Sequence, residues 1–173
     1  VTDSSWRPKD STRDTATVGA DWQPRASLIE GVVLREVRNV PQRSGLLTEL
    51  FRRDWLDGEA DQVFQVLLPA GALSAWHAHE AVTDRLFVSY GSLKIVLYDD
   101  REGSPTHGLV NEILCSLYRP RLILVPPKVW HGVQNASKEP AMIVNVPDRA
   151  YDYDQPDHWR RPPDTDLIPY RFV

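Results

Sequence analysis

Cysteine occurs once in this 173-residue chain, as Cys115. A lone cysteine excludes an internal disulfide and any cysteine-rich zinc site, and it fits a reducing compartment. On its apolar stretch it reads as a small buried hydrophobe. The chain has no apolar run long enough to span a bilayer and no charged-then-apolar leader at its start, so the cytoplasm is the expected setting. A glycine-rich phosphate loop, a paired-carboxylate glycosidase signature and a serine nucleophile elbow are also lacking. Positive charge is not in excess either. The net charge of -4 argues against a nucleic-acid or anionic-membrane surface and leaves small molecules as the expected partners. A hydrophobic content of 42% suffices for one core, and neither a repeat nor a second domain is visible.

Long amphipathic segments are absent as well, and what stands in their place is β-rich. Residues 1–30 form a polar arm in which Trp6 and Trp22 are candidates for docking on a partner subunit. From Gly31 the pattern becomes short runs: Val32–Val37, Leu46–Phe51, Val63–Leu68, Leu86–Tyr90, Leu93–Tyr98, Ile113–Tyr118, Leu122–Val125 and Ala141–Val146. Turns carrying Gly, Pro, Asn or Asp separate most of them, which predicts an all-β sandwich or barrel over 31–147. The tail, 148–173, is rich in Pro, Asp, Arg and aromatics and reads as an irregular wrap over the barrel; a short helical turn near Gln155–Arg160 is compatible with it.

The chemistry-bearing residues cluster in two places. The first is Gly71-x5-His77-x-His79-x4-Asp84-x6-Gly91, and the second is Pro126-x-Lys128-x2-His131-x3-Asn135. In an extended strand alternate side chains share a face, so His77 and His79 point one way while Trp76 and Ala78 point the other. With Asp84 and His131 they compose a ligand set suited to one divalent metal, Fe, Mn, Ni, Co or Zn. The competing readings are metal-free acid–base work by the same imidazoles and a polar patch lining a solvated barrel mouth. Trp76 and Trp130 are expected to pack, His107 to sit at a surface turn, His158 to be structural unless the tail closes over the site, and Asp99–Glu102 to form a charged turn. Arg119, Arg121 and Lys128 read as a solvated rim.

Taken together, the two clusters resemble the cupin motifs, with Asp84 where Glu is usual and Lys128 where Gly is usual. The resemblance implies a jelly-roll barrel with the site in its mouth. A narrower resemblance is to the dTDP-4-dehydrorhamnose 3,5-epimerases and the sugar-nucleotide ketoisomerases. It rests on Gly45–Glu49, Gly71–His77, Gly91 followed by Asp99–Gly108 with its Ser-Pro-Thr-x-Gly turn, and Pro127–Gly132. It implies a keto-sugar epimerase or isomerase, with a dTDP-linked 4-keto-6-deoxy sugar as a candidate substrate, His77 as general base, His79 or His131 assisting and no cofactor. The N-terminal arm and exposed sheet edges, which a second subunit commonly covers, predict a homodimer.

The chain also departs from the epimerase pattern. Ser74 replaces an Arg for the nucleotide diphosphate, Asp84 stands near a family Lys, Val144 stands within a residue or so of the acidic Tyr, and the carboxylate partner of the His has no match. Arg85, Lys94 and Arg101 are candidate replacement phosphate contacts, and Tyr90, Tyr98 and Tyr118 candidate replacement acids. Two alternatives stay open at this point. One is a metal-dependent oxygenase, lyase or isomerase using His77, His79, Asp84 and His131; the other is a non-catalytic sugar-binding cupin.

Overall fold

The computed structural model describes residues 9–21, 24–55 and 59–173. The expected docking of Trp6 and Trp22 lies outside those residues. Among the described residues there is no helix, and the strands are β1 (Val33–Glu36), β2 (Asn39–Gln42), β3 (Gly45–Thr48), β4 (Phe64–Leu68), β5 (Leu73–Ala78), β6 (Asp84–Tyr90), β7 (Ser92–Asp99), β8 (Val110–Ser116), β9 (Arg121–Val125), β10 (Val129–Gln134), β11 (Ala141–Asn145) and β12 (Trp159–Arg160). They form two five-stranded antiparallel sheets, β1-β9-β6-β11-β4 and β12-β5-β10-β7-β8, with β2–β3 as a separate hairpin. This is the expected cupin jelly roll.

Alternation along the strands explains the packing. Leu86 and Val88 of β6, Leu93, Ile95 and Leu97 of β7, and Ile123 and Val125 of β9 all turn inward to one core, which Ile29 joins from the arm. Cys115 is buried in the same core, and burial raises its thiol to about 11, so it packs as a neutral hydrophobe. The opposite face of the second sheet is not left wet. Trp76, Val96 and Tyr98 are covered there by Ile168, Tyr170 and Phe172 of the tail. Gly91, between β6 and β7, has φ +73°, and a Cβ there would stand 2.8 Å from the Ala141 Cβ, which accounts for the glycine of the first motif.

Three expectations need correction. The tail contributes a strand where a helical turn was compatible with its sequence. Arg161 N donates to Trp76 O and Trp76 N to Arg161 O, so Trp159–Arg160 extends the edge of β5. Asp99 is not an exposed member of a charged turn. It is fully buried and accepts hydrogen bonds from Arg101, Ser104 and Thr106, which hold its carboxyl well below the usual range despite the opposing effect of burial. Arg121 is also largely buried, sharing Glu36 with Arg119 at 3.1 and 3.2 Å, so only part of the basic rim is solvated.

Candidate active site

A cavity of about 560 Å³ opens at one end of the barrel, a size suited to a small-molecule ligand. Its floor is apolar, with Val66, Leu68, Leu86, Val133 and Ile143, and its polar wall holds His77, His79, Asp84, His131, Asn145 and His158. The strands account for the convergence. His77 of β5 lies opposite His131 of β10, and the start of β6 delivers Asp84 beside them. Lys128, in the turn before β10, has φ +66°, the left-handed conformation that explains why Gly is usual at this motif position; its N donates to His79 O at 2.6 Å.

The four imidazoles form a closed ring. Successive centroids are 5.9 Å (His77 to His131), 5.5 Å (His131 to His79), 5.2 Å (His79 to His158) and 5.0 Å (His158 to His77). Asp84 serves two of them, with Oδ2 at 3.2 Å from His79 Nε2 and 3.3 Å from His131 Nε2, while Asn145 Nδ2 donates to Oδ1 at 2.7 Å. His79 Nδ1 meets Asp157 O at 2.5 Å, so both of its nitrogens are committed. His77 has no contact with Asp84. Its Nδ1 lies 2.9 Å from His158 Nε2 and its Nε2 2.9 Å from Ser74 Oγ.

Electrostatics divides the ring. Burial, reinforced by the neighbouring imidazoles and Arg160, lowers His77 to about 3, so it is neutral at physiological pH. Burial also lowers His131 and His158. For Asp84 burial opposes ionisation, but the His79 hydrogen bond, the nearby imidazoles and Asn145 outweigh it and hold the carboxyl at about 2. For His79 burial again disfavours charge, yet Asp84 and the Asp157 carbonyl raise it above its ordinary value. An imidazole whose protonation is disfavoured and one whose protonation is favoured thus stand on the same wall, an arrangement that separates basic from electrostatic roles.

The sequence-predicted residues are distributed as follows. His77, His79, Asp84 and His131 all border the cavity, but the four-ligand metal set does not assemble. His79, Asp84 and His131 each offer a donor atom, all within 4.8 Å of one another, whereas His77 is engaged by Ser74 and His158. The remaining trio has the composition of a two-histidine, one-carboxylate site, so its donors fit a divalent ion.

The three candidate phosphate contacts lie elsewhere. Arg85 points to the other face of β6 and is buried, its Nη1 donating to the carbonyls of Glu59 and Val146. Lys94 alternates with inward Leu93 and Ile95, faces outward, and lies 4.0 Å from Glu112. Arg101 is spent on Asp99 at 2.8 Å and on Glu30 O. None of the three proposed tyrosines reaches the cavity: Tyr90 and Tyr118 are exposed and Tyr98 packs on the outer face. Val144 also faces away, and Ile143 and Asn145 are the β11 residues that border the cavity.

His158, Tyr151, Arg149 and Arg160 line the cavity from the tail, and of these the sequence marks only His158, as structural unless the tail closes over the site. The tail does close over it. Asp157 accepts from the Glu80 and Ala81 amides at 2.7 and 2.8 Å and so fastens the neighbouring His158 in its place in the ring.

Comparison with known proteins places this geometry. No family model matches the chain. It is 35% identical over 140 residues to the probable low-salt glycan biosynthesis epimerase Agl13 of Haloferax volcanii, covering 79% of this chain and 89% of that protein. It is 31% identical over 147 residues to the spore coat polysaccharide biosynthesis protein SpsL of Bacillus subtilis, covering 84% and 97%. A dTDP sugar isomerase from Desulfovibrio desulfuricans G20 superposes with a TM-score of 0.78 at 29% identity, over 84% of this chain and 94% of that one. The dTDP-4-dehydrorhamnose 3,5-epimerase of Bacillus anthracis shares the fold, with a TM-score of 0.74 at 19% identity over 84% and 87%. With relatives at this identity and coverage and its histidines gathered in the barrel mouth, the chain belongs to the dTDP-4-dehydrorhamnose 3,5-epimerase-like family of cupins and is a sugar epimerase or isomerase.

Proposed function

We propose that the protein moves a proton next to the ketone of a nucleotide-linked keto sugar, a dTDP-linked 4-keto-6-deoxy sugar in the first instance, with His77 as the base. The observation that carries this reading is the placing in one cavity of His77, whose two nitrogens meet Ser74 and His158, beside His79, whose two nitrogens both face acceptors, Asp84 and the Asp157 carbonyl. In the tautomer with hydrogen on Nδ1, His77 donates to His158 Nε2 and accepts at Nε2 from Ser74, so Nε2 is the atom that takes a proton.

The C–H electron pair then enters the ketone as an enolate, and the imidazolium formed at His77 keeps its Nδ1–H on the His158 lone pair. His79, with both nitrogens held by Asp84 and Asp157, acts through its charge by stabilising the enolate. A proton returned from the opposite face inverts the carbon, whereas one returned by His77 to the former carbonyl carbon shifts the ketone, the hydroxyl proton on the adjacent carbon passing to the enolate oxygen as the new carbonyl forms. Tyr151 borders the cavity mouth and is the proposed donor for inversion.

The test is incubation of the full chain with a dTDP-4-keto-6-deoxy sugar, the product's stereochemistry being read by proton NMR. An epimer or a shifted ketone of unchanged mass is expected, and Tyr151→Phe should stop inversion while proton exchange continues. Unchanged substrate at high enzyme concentration would remove the reading.

A second reading is favoured by one observation, the His79–Asp84–His131 trio. A divalent ion held there would polarise the ketone oxygen. Under the metal-free reading, turnover survives exhaustive chelation; activity lost to a chelator and regained with a divalent ion favours the second.

The setting we propose is the cytoplasm, for which the unpaired, buried Cys115 is the support. We also propose a homodimer. Edge strand β4 exposes Leu67, and the hairpin exposes Val40, Leu46 and Leu47, apolar surface of the kind a second subunit covers. Sedimentation at micromolar concentration should give twice the chain mass, and a single-chain mass would refute the assembly.

A further inference from the structure

Every carboxylate bordering the active-site cavity already has donors. Asp84 accepts from His79, His131 and Asn145, Asp157 from the amides of Glu80 and Ala81, and Asp152 from the amides of Asp154 and Gln155. The permanently charged cations of the same lining are Arg149 and Arg160, and neither guanidinium has a hydrogen-bond or ion-pair partner among the described residues. Of the described arginines outside this cavity, Arg52, Arg85, Arg101, Arg119, Arg121, Arg161 and Arg171 are engaged by carboxylates or carbonyls.

The two cavity arginines are held at their backbones. Arg149 follows Asp148, whose N donates to Thr83 O and whose carboxylate accepts from Thr83 N at 2.9 Å; the next residue, Ala150, donates its N to Asp61 at 3.1 Å. Arg160 lies in β12, in register with His77, and precedes the paired Arg161–Trp76 amides. The segment between them borders the cavity mouth. Two guanidinia at fixed points, facing a cavity whose acids are already satisfied, form a site for an anion with several oxygens in reach of planar forks.

We infer that Arg149 and Arg160 are the diphosphate subsite of this enzyme. The inference rests on the proposed nucleotide-sugar reading and deepens it by naming what holds the nucleotide. The subsite places the phosphates at the mouth and the sugar inward, beside His77.

The test is calorimetric titration of the full chain and of Arg149→Gln, Arg160→Gln and the double variant with thymidine diphosphate, with thymidine as the phosphate-free control. Each single variant should bind thymidine diphosphate at least about tenfold more weakly and the double variant at least about a hundredfold, because each loses a charge-assisted contact. Thymidine binding should be the same in all four proteins. Arg149→Lys and Arg160→Lys should fall in between, keeping charge without the fork. Both side chains are exposed, so circular dichroism should match the parent protein.

Affinity for thymidine diphosphate within twofold of the parent in a folded double variant overturns the subsite. If the parent still exchanges the sugar's proton in that case, the catalytic reading stands while the subsite falls. Arginine-dependent binding without proton exchange has the opposite meaning. A parent protein that neither binds thymidine diphosphate nor exchanges the proton overturns both.

Discussion

His77→Gln is expected to lower the rate of proton exchange beside the substrate ketone by about 10²–10⁴-fold, the range a positioned general base supplies. The amide can still meet Ser74 and His158, which lie 2.9 Å from the two imidazole nitrogens, but it cannot carry a proton between carbon and solvent. The loss should therefore appear in kcat with KM little changed, since the interaction removed matters in the transition state. His158→Gln should give a smaller loss of the same kind, because it removes the acceptor that holds the His77 tautomer and leaves the base in place. Stopped assays under single-turnover conditions read both. If His77→Gln exchanges within threefold of the parent, the base lies elsewhere in the ring.

Asp84→Ala is expected to cost about 3–5 kcal/mol of stability, the usual consequence of leaving a buried charge without its partner. Asp84 is 3% exposed, and its carboxylate is the shared acceptor for His79, His131 and Asn145. Asp84→Asn keeps the shape and removes the charge, so it separates packing from electrostatics and should return His79 toward neutrality.

The pH dependence follows from the two shifts. Asp84 is lowered to about 2, so its contribution is complete above its unfolded value of 3.8 and fades as the pH falls toward 2. His79 is raised above 6.5, so its contribution is complete below 6.5 and is lost as the pH rises through the folded value. His77, lowered to about 3, works the other way on the acid side, costing stability as the pH falls below 6.5. The parent-minus-Asp84→Asn difference in melting temperature should therefore be largest between about pH 4 and 6.5 and shrink on both sides. A difference that is flat from pH 3 to 9 would show that the carboxylate charge is not what binds the ring together.

How much of this could be read beforehand depended on periodicity. Alternation in β5 put His77 and His79 on one face, and the spacing to Asp84, Gly91 and His131 marked the barrel mouth. The same alternation, applied one residue further, would have turned Arg85 away from Asp84, and Leu93 and Ile95 would have turned Lys94 outward; their charge suggested a role that their strand positions deny. Asp99 looked like part of a charged turn because its burial depends on Arg101, Ser104 and Thr106 folding back on it.

The tail was the least legible part. Its strand is only two residues long, and its path is set by Asp157, Asp148 and Arg161 binding backbone far away in sequence. Local pattern carries no trace of such contacts, and so His158, Tyr151, Arg149 and Arg160 could not be placed at the site from residue order.

The central claim is that His77 exchanges a carbon-bound proton next to a sugar ketone. It is tested most directly by incubating the parent protein with a dTDP-4-keto-6-deoxy sugar in deuterium oxide and following the ring protons by NMR. The account predicts that the signal at a carbon adjacent to the ketone disappears as deuterium enters, at a rate unaffected by chelator and strongly reduced by His77→Gln. Retention of that proton through many enzyme equivalents, with the substrate bound, would contradict it.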